Sequence, residues 1–173
     1  MANYYTAAVT AGLNIRDKAM IGLYNGTGSG LVVRVYRIFM LNNQTVAVTG
    51  VVNPYTLYRI TTGSGGIFCQ YVKHDSQSIT LPSQIVISSG MSYTAGDVLR
   101  KVVWSSDEPL ATDANGIDEL ETIPSLNVIW DSTLATTSEP IICREGYGIA
   151  LINNHTAPVG IVDLFIEFTA ETT

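Results

Sequence analysis

Six carboxylates crowd one polar stretch of this chain, with Asp107, Glu108, Asp113, Asp118, Glu119 and Glu121 all falling within residues 105–122. Carboxylate oxygens are hard ligands, so the chemistry open to them is coordination of a cation such as calcium, with Asp113, Asp118, Glu119 and Glu121 as the candidate ligands. Their spacing departs from that of an EF-hand loop, and an acidic run is more commonly a solvated face, so no metal or other cofactor is expected. The same carboxylates could form the acid/base pair of a glycoside hydrolase, but no separate aromatic sugar platform accompanies them.

Other catalytic arrangements are poorly supplied. His74 and His155 are the only histidines, too few for a multi-histidine metal site within one chain. Residues 25–30 (NGTGSG) are rich in glycine, yet a phosphate-binding P-loop ends in Gly-Lys-Ser/Thr and opens a helix, whereas Leu31 opens a β-rich run. Gly28-Ser29-Gly30 and Gly63-Ser64-Gly65 lack the spacing of a nucleophile elbow. Cys69 and Cys143 stand far apart and form no CxxC pair, which reads as two reduced, strand-embedded small hydrophobes. The expectation is a protein that is not an enzyme. Asn25, Asn43 and Asn154 each fit the glycosylation pattern, but read better as turn asparagines tolerant of left-handed backbone.

The elements that must position these residues are strands. Residues 162–168 (VDLFIEF) alternate, Val162, Leu164, Ile166 and Phe168 against Asp163 and Glu167, which is the period of a strand with one buried face. Residues 147–152 precede it as an apolar strand, and the two read as a closing hairpin. Upstream, residues 19–24 and 31–41 read as a hairpin about the glycine-rich turn, with Arg34 and Arg37 on opposite faces. Further strands are predicted over residues 44–48, 51–62, 67–72, 83–88 and 98–104. Pro54 suggests an edge or a bend, and Gly90 to Gly96 a turn. Helical spacing appears only as a possible turn at residues 117–121. Leu126, Val128 and Trp130 alternate with Asn127, Ile129 and Asp131, and residues 139–144 lead to the closing strands.

Eight to ten short strands with glycine-rich turns predict an all-β antiparallel sandwich, a jelly roll in preference to an immunoglobulin domain, whose Cys-Trp-Cys arrangement is missing. With 173 residues, one domain is expected: residues 19–173 form the sandwich, and residues 1–18 an N-terminal arm or first edge strand.

Composition bounds the partners. A net charge of −6 and a pI near 4.7 oppose binding to a phosphate backbone, and the nine basic residues are scattered. No apolar run approaches the ~18 residues of a membrane span, and no export signal is recognisable, so synthesis in a cytoplasm is expected. Charged residues make up only 14% of the chain, against roughly 25% in an ordinary soluble domain. With a mean hydropathy of +0.24, part of the exterior is expected to be covered by other chains.

Residues 21–38 (IGLYNGTGSGLVVRVYRI), 103–109 (VWSSDEP), 123–131 (IPSLNVIWD), 145–150 (EGYGIA) and 162–168 together resemble the small β-sandwich virion proteins of tailed bacteriophages. The resemblance covers most of the chain in order but carries no catalytic signature. It implies a jelly-roll protein present in many copies on a phage particle, as a capsid decoration or cementing protein, a head-fibre component or a tail part. Its expected partners are copies of itself, with a trimer as the expected assembly, and a major capsid or tail protein. The alternative is a receptor- or carbohydrate-binding module, with Tyr4, Tyr5, Tyr55, Tyr58, Tyr71 and Tyr93 as contact surfaces.

Overall fold

The computed structural model describes residues 3–13, 16–43, 52–105, 126–134, 139–157 and 160–172. The strand expected at 44–48, the helical turn expected at 117–121 and the calcium candidates Asp113, Asp118, Glu119 and Glu121 lie outside the described residues.

Twelve strands are described: β1 (Asn3–Leu13), β2 (Ala19–Asn25), β3 (Leu31–Asn42), β4 (Val52–Ser64), β5 (Ile67–Phe68), β6 (Tyr71–Lys73), β7 (Ile85–Ser89), β8 (Ser92–Ser105), β9 (Leu126–Asp131), β10 (Ile141–Cys143), β11 (Tyr147–Asn153) and β12 (Ile161–Thr172). They form two antiparallel sheets packed as a β-sandwich. The first runs β10-β3-β12-β1-β6, with β9 continuing beside β3 beyond β10; the second runs β5-β7-β2-β11-β4-β8. The count exceeds eight to ten partly because the run expected as one strand over residues 67–72 breaks at Cys69, sending β5 to the second sheet and β6 to the first. The turn expected from Gly90 to Gly96 is shorter than that, since β8 begins at Ser92.

The alternation read in residues 162–168 is what buries β12. Val162, Leu164, Ile166 and Phe168 face inward at no more than 1% exposure, against Val33, Val35, Ile38 and Met40 of β3 beside them and Ile21, Leu23, Leu57, Ile149 and Leu151 across the sandwich. Burying these faces is the main stabilising term, at about 25 cal/mol per Å² of apolar area. Gly148 lets β11 approach β2: a Cβ there would collide with the backbone oxygen of Leu23.

Both expected hairpins are instead crossovers. β2 lies in the second sheet and β3 in the first, and β11 and β12 are likewise split. A hairpin within one sheet would bury the same apolar faces; each pair is split because its strands hydrogen-bond other partners, β2 with β7 and β11, β3 with β12, β9 and β10, β11 with β2 and β4, and β12 with β1 and β3. Asn25, fully buried, fastens the first crossover: its Nδ2 donates to Leu31 O at 2.8 Å and to Cys143 O at 3.0 Å.

Residues 3–13, left open as arm or edge strand, pair with β12 along most of their length and with β6 over Tyr5 to Ala7. Pro54 sits in an interior strand, one residue before the β11 ladder begins at Tyr55, and its carbonyl accepts from the Asn154 amide at 2.8 Å. Arg34 and Arg37 share the outer face rather than opposing one another. A register shift beside Tyr36, where Phe168 pairs with Val35 and Glu167 with Arg37, inserts one residue and reverses the alternation.

Candidate interaction surfaces

On the outer face of the first sheet, alternation directs Phe39 of β3 and Phe165 of β12 to solvent, where directly paired they stack with centroids 4.9 Å apart. Beside them β9 presents Leu126 and Val128, while Ile129 is fully buried and Trp130, paired with the inward-facing Ile38, packs on the core. Leu126 is 48% exposed and Val128 42%, so β9 too carries apolar side chains on its outer face. A shallow hollow of about 250 Å³ is lined by Phe39, Leu126, Val128 and Trp130 and closed by Arg37, Asp131 and Glu167.

Those three charges form one network. Arg37 Nε lies 3.3 Å from Asp131 and its Nη1 3.5 Å from Glu167, while Nη2 donates to Thr133 Oγ1 at 2.8 Å. The Thr133 hydroxyl and amide donate to Asp131, which with Arg37 holds this carboxyl below its usual range. An apolar patch rimmed by mutually paired charges desolvates at less cost than one rimmed by free charges. Further along the face, Tyr4 lies against Tyr36 and stacks on His74, whose Nε2 is 2.7 Å from Thr6 Oγ1.

A second feature opens between the sheets, where β4 and β8 face β9 and β10. Two adjoining hollows of about 590 and 330 Å³ share Arg59 and Ile142. Leu99, Arg100, Trp130, Asp131 and Glu139 line the larger, Arg144 and Tyr147 the smaller. Arg59 Nη1 donates to Ile142 O at 3.0 Å, which fixes its guanidinium at the junction.

The residues singled out for chemistry are dispersed. The glycine-rich loop does cradle an anion, but one of the protein's own: Gly30 and Gly28 amides donate to Glu145 at 2.7 and 3.1 Å. Both glycines have positive φ, which turns their amides toward the carboxylate and lowers its pKa. His74 follows β6, and His155 follows β11 with Nδ1 accepting from the Ala157 amide. Cys69 and Cys143 are buried and free; burial raises their thiol pKa values to about 11 and about 12. Cys69 follows β5 rather than lying within a strand.

The asparagines of the glycosylation patterns are not left-handed. Among the described non-glycine residues only Asp17 has positive φ; Asn25 is a buried donor, Asn43 donates to Asp163, and Asn154 accepts from Thr56. No group of three metal-ligating side chains occurs among the described residues. The six tyrosines do not share a surface: Tyr5 and Tyr55 are fully buried, Tyr71 packs on the core, Tyr58 and Tyr93 cover the outside of the second sheet, and Tyr4 lies on the first. Sequence reasoning missed Phe39, Phe165 and the convergence of Arg59, Arg100 and Arg144, the last because nothing in their spacing marks it.

Comparison with known proteins returns no matching family model, no matching curated protein and no matching solved structure.

Proposed function

We propose that this protein is a non-enzymatic structural subunit of a phage particle. It acts by symmetric self-association, as a trimer, and by docking onto a capsid or tail lattice, with a decoration or cementing role favoured. The observation that carries the reading is the apolar outer face built by Phe39, Phe165, Leu126 and Val128, a surface suited to being covered by another copy.

The strand order supports it. Leaving aside the short insertions, β1, β2, β3 and β4 alternate between the sheets, as do β8, β9, β11 and β12, giving β1-β12-β3-β9 against β2-β11-β4-β8. We read this order as that of a jelly roll, an architecture used by viral capsid domains and also by lectins and cupins. A subunit of this kind needs a rigid core and a contact surface, and no reaction chemistry.

The test is the solution mass of the native chain beside that of Phe165→Asp, which would bury a charge in the proposed contact. Native trimer and monomeric variant, both folded by circular dichroism, are expected. A native monomer at micromolar concentration, or a variant that remains trimeric, contradicts the proposal.

A further inference from the structure

The chain has six arginines, and the structure divides them evenly. Arg16, Arg34 and Arg37 each lie within 4 Å of a carboxylate. Arg59, Arg100 and Arg144 have no ion pair among the described residues, and these are the three that converge on the adjoining hollows between the sheets. In a molecule of net charge −6 that is a local reversal of sign.

We infer that this groove is a binding site for a carboxylate-bearing saccharide. The inference goes beyond self-association and takes up the receptor-binding alternative at a defined place. Its larger hollow, about 590 Å³, falls within the roughly 300–1,000 Å³ usual for small-ligand sites. Guanidinium groups match a carboxylate through paired, charge-assisted hydrogen bonds. Arg59 is already oriented by Ile142 O, which reduces what binding must order. Tyr147, 47% exposed, and Trp130 supply aromatic surface for the apolar face of a sugar ring.

Two carboxylates in the lining select against polyanions. Asp131 is committed to Arg37 and Thr133, but Glu139 has no ion pair among the described residues and can accept from sugar hydroxyls. A nucleic acid or a run of acidic residues would meet Glu139, Asp131 and the overall negative field. One carboxylate on an otherwise neutral, hydroxyl-rich body fits the mixture best.

The experiment is calorimetric titration of the native protein with N-acetylneuraminate and with an oligogalacturonate. A neutral N-acetylglucosamine oligomer, inorganic phosphate and a polyglutamate peptide serve as comparisons. Binding of at least one acidic saccharide is expected, weakened tenfold or more in the double variant Arg100→Gln, Arg144→Gln. Both positions are exposed, so the variant should keep the native circular dichroism and melting temperature. Binding of neither acidic saccharide overturns the inference, as does tighter binding of any comparison ligand or affinity unchanged in the folded double variant. Because Arg100 and Arg144 lie off the Phe39 and Phe165 face, an intact trimer without saccharide binding sinks this inference alone. A monomer that binds saccharide sinks only the self-association reading.

Discussion

At Glu145 one carboxylate occupies the seat that the glycine-rich loop offers to an anion. Donation from Gly30 and Gly28 favours the ionised form, so its folded pKa falls below the ordinary 4.5. The sign of the linkage follows: this group contributes stability above its unfolded pKa and loses that contribution as pH falls through the lower folded value. Glu145→Gln is therefore expected to lower the melting temperature at neutral pH and to shift the Gly28 and Gly30 amide resonances. An unchanged melting temperature would contradict the role.

The two thiols behave oppositely, because burial penalises the thiolate. With the Cys143 pKa raised from 9.0 to about 12, its stabilising contribution is complete below pH 9 and is lost as pH climbs toward 12. Neither Cys69 nor Cys143 should react with an aromatic disulfide reagent at pH 8 until the protein is unfolded. Stoichiometric labelling of the native protein would refute this.

At the scale of elements, the crossover from β2 to β3 depends on Asn25, which satisfies two buried carbonyls on different segments. Asn25→Ala leaves both without that donor and should cost about 2–4 kcal/mol, read from the midpoint of urea unfolding. A shift below about 1 kcal/mol would show that water or a neighbour replaces the amide. The positions and faces of β11 and β12 were legible in the sequence, because both carry uninterrupted patterns of side chains. Their partners were not. Alternation specifies which residues face the core but not which sheet a strand joins, so the glycine-rich loop read as a hairpin although it spans the sandwich. The bulge at Tyr36 left no trace in composition, yet it brings Arg34 onto the face that Arg37 and Phe39 share, and a second shift at Ile129 of β9 sets Asp131 opposite Arg37. Among site residues, the acidic stretch drew attention by its charge, whereas the arginines of the groove come from β4, β8 and the segment after β10 and meet only after folding.

For the whole molecule, low charge and positive mean hydropathy acquire a location: the outer face of the first sheet carries aromatic and aliphatic side chains where a solitary sandwich would carry polar ones. Covering that face with a second copy removes apolar area from water without stranding Arg37, whose charge is already shared between Asp131 and Glu167. Its energetic signature should be hydrophobic, so added salt is expected to leave the association intact where it would loosen a contact held by exposed ion pairs. Sedimentation velocity of the native chain at micromolar concentration, in low and in high salt, tests this most directly. The account predicts a species of three times the 18.6 kDa chain mass under both conditions, and a single boundary at the monomer mass would contradict it.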